Sequence, residues 1–208
     1  MSLTNGDSVP SCTLSVMGES GPTPLSTDEL FGGKRVLLFA LPGAFTPGCS
    51  MAHLPGYVAN ADKIKSAGVD SIACLSVNDA FVMGAWGEAQ NASEIIMVAD
   101  GNAEFTEAMG LTLDGTGFGM GTRSQRYAML VDNGVITQIN VEEGPAQDFR
   151  YDEAMLTGAG SKGAKAAKRV AGAMKWGMLA MAISPLRALA QKFFLPKPGE
   201  GPSPEQQL

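Results

Sequence analysis

The sequence contains few of the residues that bind metals or form disulfides. It has three cysteines, at positions 12, 49 and 74, and a single histidine, His53. An odd number of cysteines without a Cys-x-x-Cys pair argues against a disulfide framework and against a disulfide reductase. One histidine and scattered cysteines do not form an ordinary zinc site, so we expect no metal and no other cofactor. Free thiols suit a reducing compartment, which predicts a cytoplasmic location.

Long apolar runs are also missing. The first seven residues contain no basic segment followed by an apolar run, so we predict no secretory signal. The longest stretch without a charge near the C-terminus runs from Trp176 to Leu186, which is too short to span a bilayer. Hydrophobic residues make up 45% of the 208 residues, enough for one good-sized core.

Positive charge is scarce in the first three quarters of the chain. Residues 1–160 carry 7 Lys and Arg against 19 Asp and Glu, whereas residues 161–208 carry 8 against 2. The acidic first part does not suit nucleic-acid binding. The change in charge divides the chain into a globular domain over 1–160 and a basic helical extension over 161–195. We expect the Pro/Gly-rich end over 196–208 to be disordered.

The pattern over residues 1–160 predicts alternating strands and helices. Apolar runs predict strands, which are 9–17 at a sheet edge, 35–40, 69–77, 94–99, 127–131 and 135–141. Helical segments are predicted at 26–29, 51–66, 79–89, 103–109 and 148–157. Asp132-Asn-Gly134 is a strong hairpin turn between the last two strands. This order predicts an α/β fold, a mixed sheet with helices on both faces.

Two segments interrupt this pattern. Pro55-Gly56 should kink or split the helix at 51–66, because proline has no N–H to continue the backbone ladder. Residues 115–121 contain four glycines, but their spacing differs from the dinucleotide-binding fingerprint. We therefore interpret them as a flexible loop.

The segment between the strand at 35–40 and the helix at 51–66 contains Cys49. Thr46 suits the N-cap, because its hydroxyl can accept from a backbone N–H of the first turn, and Pro47 suits the first helical position. Cys49 then faces unpaired amides and the positive end of the helix dipole, which favour thiolate over thiol. An ordinary cysteine is only about 3% ionised at neutral pH, so further positive charge, as from an arginine, is needed. The alternative is that Cys49 is a small buried apolar residue.

Three blocks of the chain resemble peroxiredoxins. Pro42-x3-Thr46-x2-Cys49 resembles the active-site signature P-x-x-x-T-x-x-C of that family. The longer string at 42–56, with blocks at 77–86 and 121–134, resembles the type II, peroxiredoxin-five-like branch. The similarity spans about residues 3–157 and implies a thioredoxin-like fold.

The resemblance implies a catalytic trio of Thr46, Cys49 and Arg126. We prefer Arg126 to Arg123 because the arginine of the family directly precedes an aromatic residue, as Tyr127 does here. Arg126 would favour the thiolate and bind the peroxide oxygens, with Arg123 in support. Thr46 would accept a hydrogen bond from the peroxide and donate one to the thiolate, while backbone N–H groups hold the developing charge.

The remaining candidates have supporting roles. Pro42 would shield the sulfur. His53, one helical turn after Cys49, would form a hydrogen bond beneath the site; a Cys–His hydrolase pair is the alternative, but no third orienting group is evident. Cys74 matches a possible resolving cysteine, yet its place in a strand predicts packing, and a bond to Cys49 would need local unfolding. We expect packing for Cys12 as well.

The activity implied by the resemblance is a thiol-dependent peroxidase. It would reduce hydrogen peroxide and alkyl hydroperoxides through a sulfenic acid on Cys49. Glutathione with glutaredoxin, or thioredoxin, would regenerate the thiol, and the protein would be a homodimer. The alternative is a non-catalytic redox sensor or binding protein of the same fold that acts through its C-terminal tail.

The extension at 161–195 departs from the family pattern. In a helix, five basic residues would share one side and four apolar residues the other, namely Lys162, Lys165, Lys168, Arg169 and Lys175 against Val170, Met174, Met178 and Met181. Such a helix could dock on the acidic domain or a second subunit, lie on an anionic membrane surface, or recruit a partner protein.

Overall fold

The computed structural model describes residues 2–142. The predicted helix at 148–157, the extension at 161–195 and the end at 196–208 lie outside the described residues. The strands are β1 Thr13–Gly18, β2 Gly21–Ser26, β3 Arg35–Leu41, β4 Ser71–Ser76, β5 Ile95–Ala99, β6 Thr112–Asp114, β7 Thr122–Ser124, β8 Tyr127–Asp132 and β9 Val135–Val141. The α-helices are α1 Thr27–Phe31, α2 Leu54–Ser66, α3 Ala80–Ala89 and α4 Glu104–Ala108.

Seven strands form one mixed sheet in the order β2-β1-β5-β4-β3-β8-β9. β4 pairs in parallel with β3 on one side and with β5 on the other. β8 pairs antiparallel with β3. α2 and α3 contribute to the core on one face of the sheet, and α1 and α4 contribute to the core on the other. Since both faces are covered, β3 is apolar and buried from Val36 to Leu41. The predicted α/β architecture is confirmed.

The strand predicted at 9–17 starts too early, and its predicted place at the edge of the sheet is wrong. β1 begins at Thr13, after Cys12, and lies between β2 and β5. β2 is the edge strand and carries Pro22 and Pro24, because an edge tolerates residues that cannot donate to a neighbour. The capped turn predicted at 26–29 is confirmed as the start of α1, where Ser26 and Glu29 form a capping box.

The glycine-rich segment at 115–121 forms the tip of a small hairpin rather than a simple loop. β6 and β7 pair on either side of it, and it contains a 3₁₀ turn at Thr116–Phe118. The backbone N–H of Gly115 donates to the carbonyl of Gly121 at 2.7 Å, which closes the tip. The strands have only three residues each, so no periodic pattern reveals them. This hairpin carries Arg123.

The helix at the site begins at Pro47, as expected from Thr46 and Pro47. Cys49–His53 then form a π-helical turn, in which the N–H of Leu54 donates to the carbonyl of Cys49, before α2 continues to Ser66. Pro55 has no N–H with which to continue the helical hydrogen bonds, so the hydrogen-bonding pattern changes from π to α just before it. α2 therefore runs through Pro55-Gly56 without a break, and the interruption predicted there lies earlier, at the π turn Cys49–His53.

The β8–β9 hairpin contains a register shift that matters for the site. Asn133 and Gly134 have positive φ angles of 45° and 79°, as the predicted type of turn requires. Beyond the turn, Val131 pairs with Ile136 but Leu130 pairs with Gln138, so Thr137 is the extra residue of a bulge.

No helix within residues 2–142 is both long enough and apolar enough to cross a membrane.

Candidate active site

The thiol of Cys49 meets the guanidinium of Arg126. Nη2 of Arg126 lies 3.5 Å from Sγ of Cys49. Strand pairing explains the contact, since Ala40 at the end of β3 lies opposite Tyr127 at the start of β8. The loop to Cys49 leaves β3 at the same edge where Arg126 enters β8. Cys49 is only 1% exposed, so its sulfur lies largely out of water beside this cation.

Within residues 2–142, two further side chains contact Arg126. Its Nη1 lies 2.7 Å from Nδ1 of His53, and its Nε lies 2.9 Å from Oε2 of Glu142. The Arg126 side chain is 10% exposed, so water screens its charge only weakly. Cys49, His53 and Glu142 therefore surround one guanidinium, each against a different nitrogen.

His53 is neutral in the folded protein. Burial, with the positive charge of Arg126 as a second cause, lowers the pKa of His53 to about 3. Nδ1 of the neutral ring accepts the hydrogen bond from Arg126, which places the ring proton on Nε2. The ring packs edge-on against Phe39 and Tyr57, at centroid distances of 5.2 and 5.5 Å. Because Nδ1 faces Arg126 rather than the sulfur, this geometry disfavours a Cys–His hydrolase pair.

Thr46 bonds differently from the expectation. Its hydroxyl donates to the carbonyl of Gly43 at 2.8 Å, because the loop turns back on itself between these residues. The first helical backbone bond, from the N–H of Ser50 to the carbonyl of Thr46, is present at 3.0 Å. The hydroxyl hydrogen is thus committed to Gly43, and the lone pairs of Oγ1 are left to accept a hydrogen bond.

Asn78 is a site residue that the sequence reasoning missed. Its Oδ1 accepts hydrogen bonds from the backbone N–H of Ala44, at 3.0 Å, and from the hydroxyl of Ser76, at 2.8 Å. β3 and β4 are parallel, so the residues that follow them meet at one edge of the sheet. The sequence signal that could have indicated Asn78 is a polar residue shortly after the end of β4.

Arg123 contacts backbone carbonyls. Its Nη1 donates to Val77 at 2.9 Å and its Nε donates to Met120 at 2.8 Å, which ties the β6–β7 hairpin to the end of β4. A Cβ atom added to Gly43 would lie 3.1 Å from Cγ2 of Thr46 and 3.6 Å from Nη1 of Arg123. Arg123 therefore borders the loop that precedes Cys49 rather than the sulfur.

The outer side of this loop is apolar and strained. Phe45 adopts a positive φ of 61°, which is costly for an aromatic residue, and is 56% exposed. Its ring lies 6.5 Å from that of Trp86, whose Nε1 donates to Oγ of Ser50 at 3.0 Å. Pro42 is half-buried at the start of the loop, directly after β3.

The other two thiols lie in different surroundings. Cys74 is fully buried in β4, between Phe39 of β3 and Met97 of β5. Burial, and then the nearby Cys49, raise the pKa of Cys74 well above its usual range. Cys12 is half-buried, and burial, with Asp100 and Glu104 as further causes, raises its pKa too. Both thiols are therefore protonated at neutral pH. The part of the chain from 2 to 142 contains no cluster of three or more potential metal ligands.

Comparison with known proteins identifies the family. The Redoxin family matches residues 4–156. Peroxiredoxin-2D of Arabidopsis thaliana is 47% identical over 144 residues, which cover 68% of this chain and 89% of that protein. The crystal structure of reduced Prx3 in complex with H₂O₂ from Vibrio vulnificus is 55% identical, with a TM-score of 0.71, and the match covers 74% of this chain and 98% of that one. The 1-Cys peroxiredoxin of Plasmodium falciparum is 31% identical, with a TM-score of 0.66 and coverage of 76% and 96%.

The sheet with its buried cysteine defines a thiol protein of thioredoxin-like fold, as predicted. Within that class, the chain belongs to the Redoxin family, and its relatives are peroxiredoxins. Relatives of this name support a thiol-dependent peroxidase, an oxidoreductase that acts on peroxides with a thiol reductant.

Proposed function

We propose that this protein is a type II, peroxiredoxin-five-like peroxidase that reduces hydrogen peroxide and small alkyl hydroperoxides at Cys49. The observation that carries the proposal is the 3.5 Å contact between Nη2 of Arg126 and Sγ of Cys49. The Vibrio vulnificus relative binds H₂O₂, and peroxiredoxin 5 of Alvinella pompejana is 39% identical. The first relative supports the proposed substrate, and the second supports the proposed branch of the family.

The reaction begins with attack by the thiolate of Cys49 on one peroxide oxygen. An S–O bond forms, the O–O bond breaks, and the leaving oxygen takes the electron pair away as hydroxide or alkoxide. That product takes one proton from solvent, and the attacked oxygen keeps its hydrogen, so Cys49 becomes a sulfenic acid. The N–H groups of Arg126 stabilise the charge on the oxygens, and the lone pairs of Thr46 Oγ1 accept from the peroxide O–H.

Regeneration uses thiols from outside this chain. One donor thiol displaces water from the sulfenic acid to form a mixed disulfide, and a second thiol releases Cys49 and leaves the donor as a disulfide. We assign Cys74 to packing rather than resolution, since it is fully buried and protonated. Glutathione with glutaredoxin, or thioredoxin, would supply the electrons.

The remaining assignments follow the sequence. We place the protein in the cytoplasm as a homodimer, in line with its free thiols and its family resemblance. The extension at 161–195 would dock on the acidic domain or a second subunit; the alternatives are an anionic membrane surface and a partner protein. Liposome flotation with and without residues 161–208 tests that alternative, which equal flotation would exclude.

Steady-state peroxide consumption tests the central assignment. With glutathione/glutaredoxin and with thioredoxin in parallel, the full chain should consume hydrogen peroxide with at least one donor. Cys49→Ser should abolish turnover, while the matched variants Cys12→Ser and Cys74→Ser should retain it. Activity that survives in Cys49→Ser would refute the mechanism.

A further inference from the structure

Glu142 contacts Arg126 through both its backbone and its side chain. The backbone N–H of Glu142 donates to the carbonyl of Arg126 at 2.9 Å, and Oε2 lies 2.9 Å from Nε of Arg126. The two side chains are 19% and 10% exposed, respectively. A largely enclosed ion pair has more influence on its partner than an exposed one, because water screens it less.

The nitrogens of the guanidinium have different partners. The group is planar and rigid, with Nε at its base and Nη1 and Nη2 at the fork. Nη1 makes a hydrogen bond with Nδ1 of His53, whereas the carboxylate of Glu142 lies 2.9 Å from Nε but out of line with its N–H bond, so this contact acts through charge. One directional contact and one ion pair thus restrain the rigid group. The third nitrogen, Nη2, then points at Sγ of Cys49.

The bulge in the β8–β9 hairpin brings Glu142 to this position. At the register of the turn, where Asp132 pairs with Val135, continued regular pairing would set Val141 opposite Arg126. The extra residue, Thr137, shifts the register so that Val141 lies opposite Tyr127 and Glu142 reaches Arg126. A bulge beside a site can redirect a side chain in this way.

We propose that Glu142 is a positioning residue for peroxide reduction. It holds the guanidinium of Arg126 in the orientation that directs Nη2 to the sulfur of Cys49. The inference rests on the proposed function, because Glu142 acts through Arg126 and does not touch the sulfur itself.

A double-mutant cycle tests the proposal on the full chain. The variants are Glu142→Gln, Arg126→Ala and the double variant, and the readout is the second-order rate constant for oxidation of the reduced protein by hydrogen peroxide. Glu142→Gln should lower this constant about 10- to 100-fold when Arg126 is present, as expected for a misplaced charged group. In the Arg126→Ala background it should change the constant less than about 3-fold.

Glu94→Gln is the matched control, because it also removes a carboxylate from an ion pair, the exposed pair with Lys65. It should leave the rate unchanged. If Glu142→Gln does not fold, Glu142→Asp replaces it in the test. This variant keeps the charge but moves it away from Arg126 by the length of one methylene, so it should also slow the reaction.

Equal losses in both backgrounds would overturn the inference, as would a lower melting temperature with an unchanged rate. Either result leaves the proposed function standing, provided that the wild type reduces peroxide and Cys49→Ser does not. An inactive wild type would instead refute the proposed function.

Discussion

Removal of the Arg126 side chain should slow peroxide reduction at Cys49. Nη2 of Arg126 lies 3.5 Å from Sγ of Cys49, and the arginine side chain is only 10% exposed, so water screens its charge weakly. Two unit charges about 4 Å apart interact by about 4 kcal/mol at an effective dielectric constant of about 20, so Arg126 strongly stabilises negative charge that develops on the reacting atoms.

The loss falls on the transition state. A donor aimed at developing charge typically contributes about 10²- to 10³-fold to the rate. Arg126→Ala should therefore lower the rate constant for hydrogen peroxide by about 10²- to 10³-fold. Arg126→Lys keeps the charge but not the fork, so it should recover only part of this contribution.

Stopped-flow oxidation of the reduced protein by hydrogen peroxide measures this loss directly. Lys65→Gln, which breaks the exposed pair with Glu94, is the control for lost surface charge. A deficit of Arg126→Ala below about 3-fold would refute the reasoning.

Three further predictions concern the surroundings of the site. The pKa of His53 is lowered to about 3, so the unfolded chain binds a proton that the native ring does not, and stability should fall as the pH drops below about 6.5. Urea unfolding at about pH 7 and about pH 5 should differ by about 2 kcal/mol from this group, and His53→Gln should remove that part; an unchanged difference would contradict it. Gly43→Ala should lower the peroxide rate about 10-fold with little change in melting temperature, because the added Cβ meets Thr46 and displaces the loop; a wild-type rate would contradict this. Cys74→Ala should retain peroxidase activity with either donor while urea unfolding shows a loss of about 1 kcal/mol, and loss of turnover would instead make Cys74 a resolving cysteine.

Local patterns were sufficient for much of the fold. The apolar run at 35–40 became β3, and the helix predicted at 79–89 became α3, which Asp79 caps. Asn133 and Gly134 form the expected turn because both tolerate positive φ. Such features depend on a few neighbouring residues, so the sequence carries them directly.

Features that depend on distant contacts were not visible in the sequence. The pairing of Glu142 with Arg126 requires a one-residue bulge, and regular counting back from the turn would have selected Val141. The direction of the Thr46 hydroxyl depends on a carbonyl that the loop folds toward it. Asn78 reaches Ala44 because two parallel strands end side by side. In each case the deciding partner is set by backbone geometry rather than by residue type.

The pairing of β3 with β8 also bears on the protein while it is being made. Cys49 and Arg126 are 77 positions apart, and the strand that brings the arginine is among the last of the sheet to leave the ribosome. Until that strand is added, Cys49 has no cation beside its sulfur. On the proposed mechanism, reactivity at Cys49 therefore arises only once β8 pairs with β3, and the nascent chain is protected from the oxidant that the finished protein would reduce.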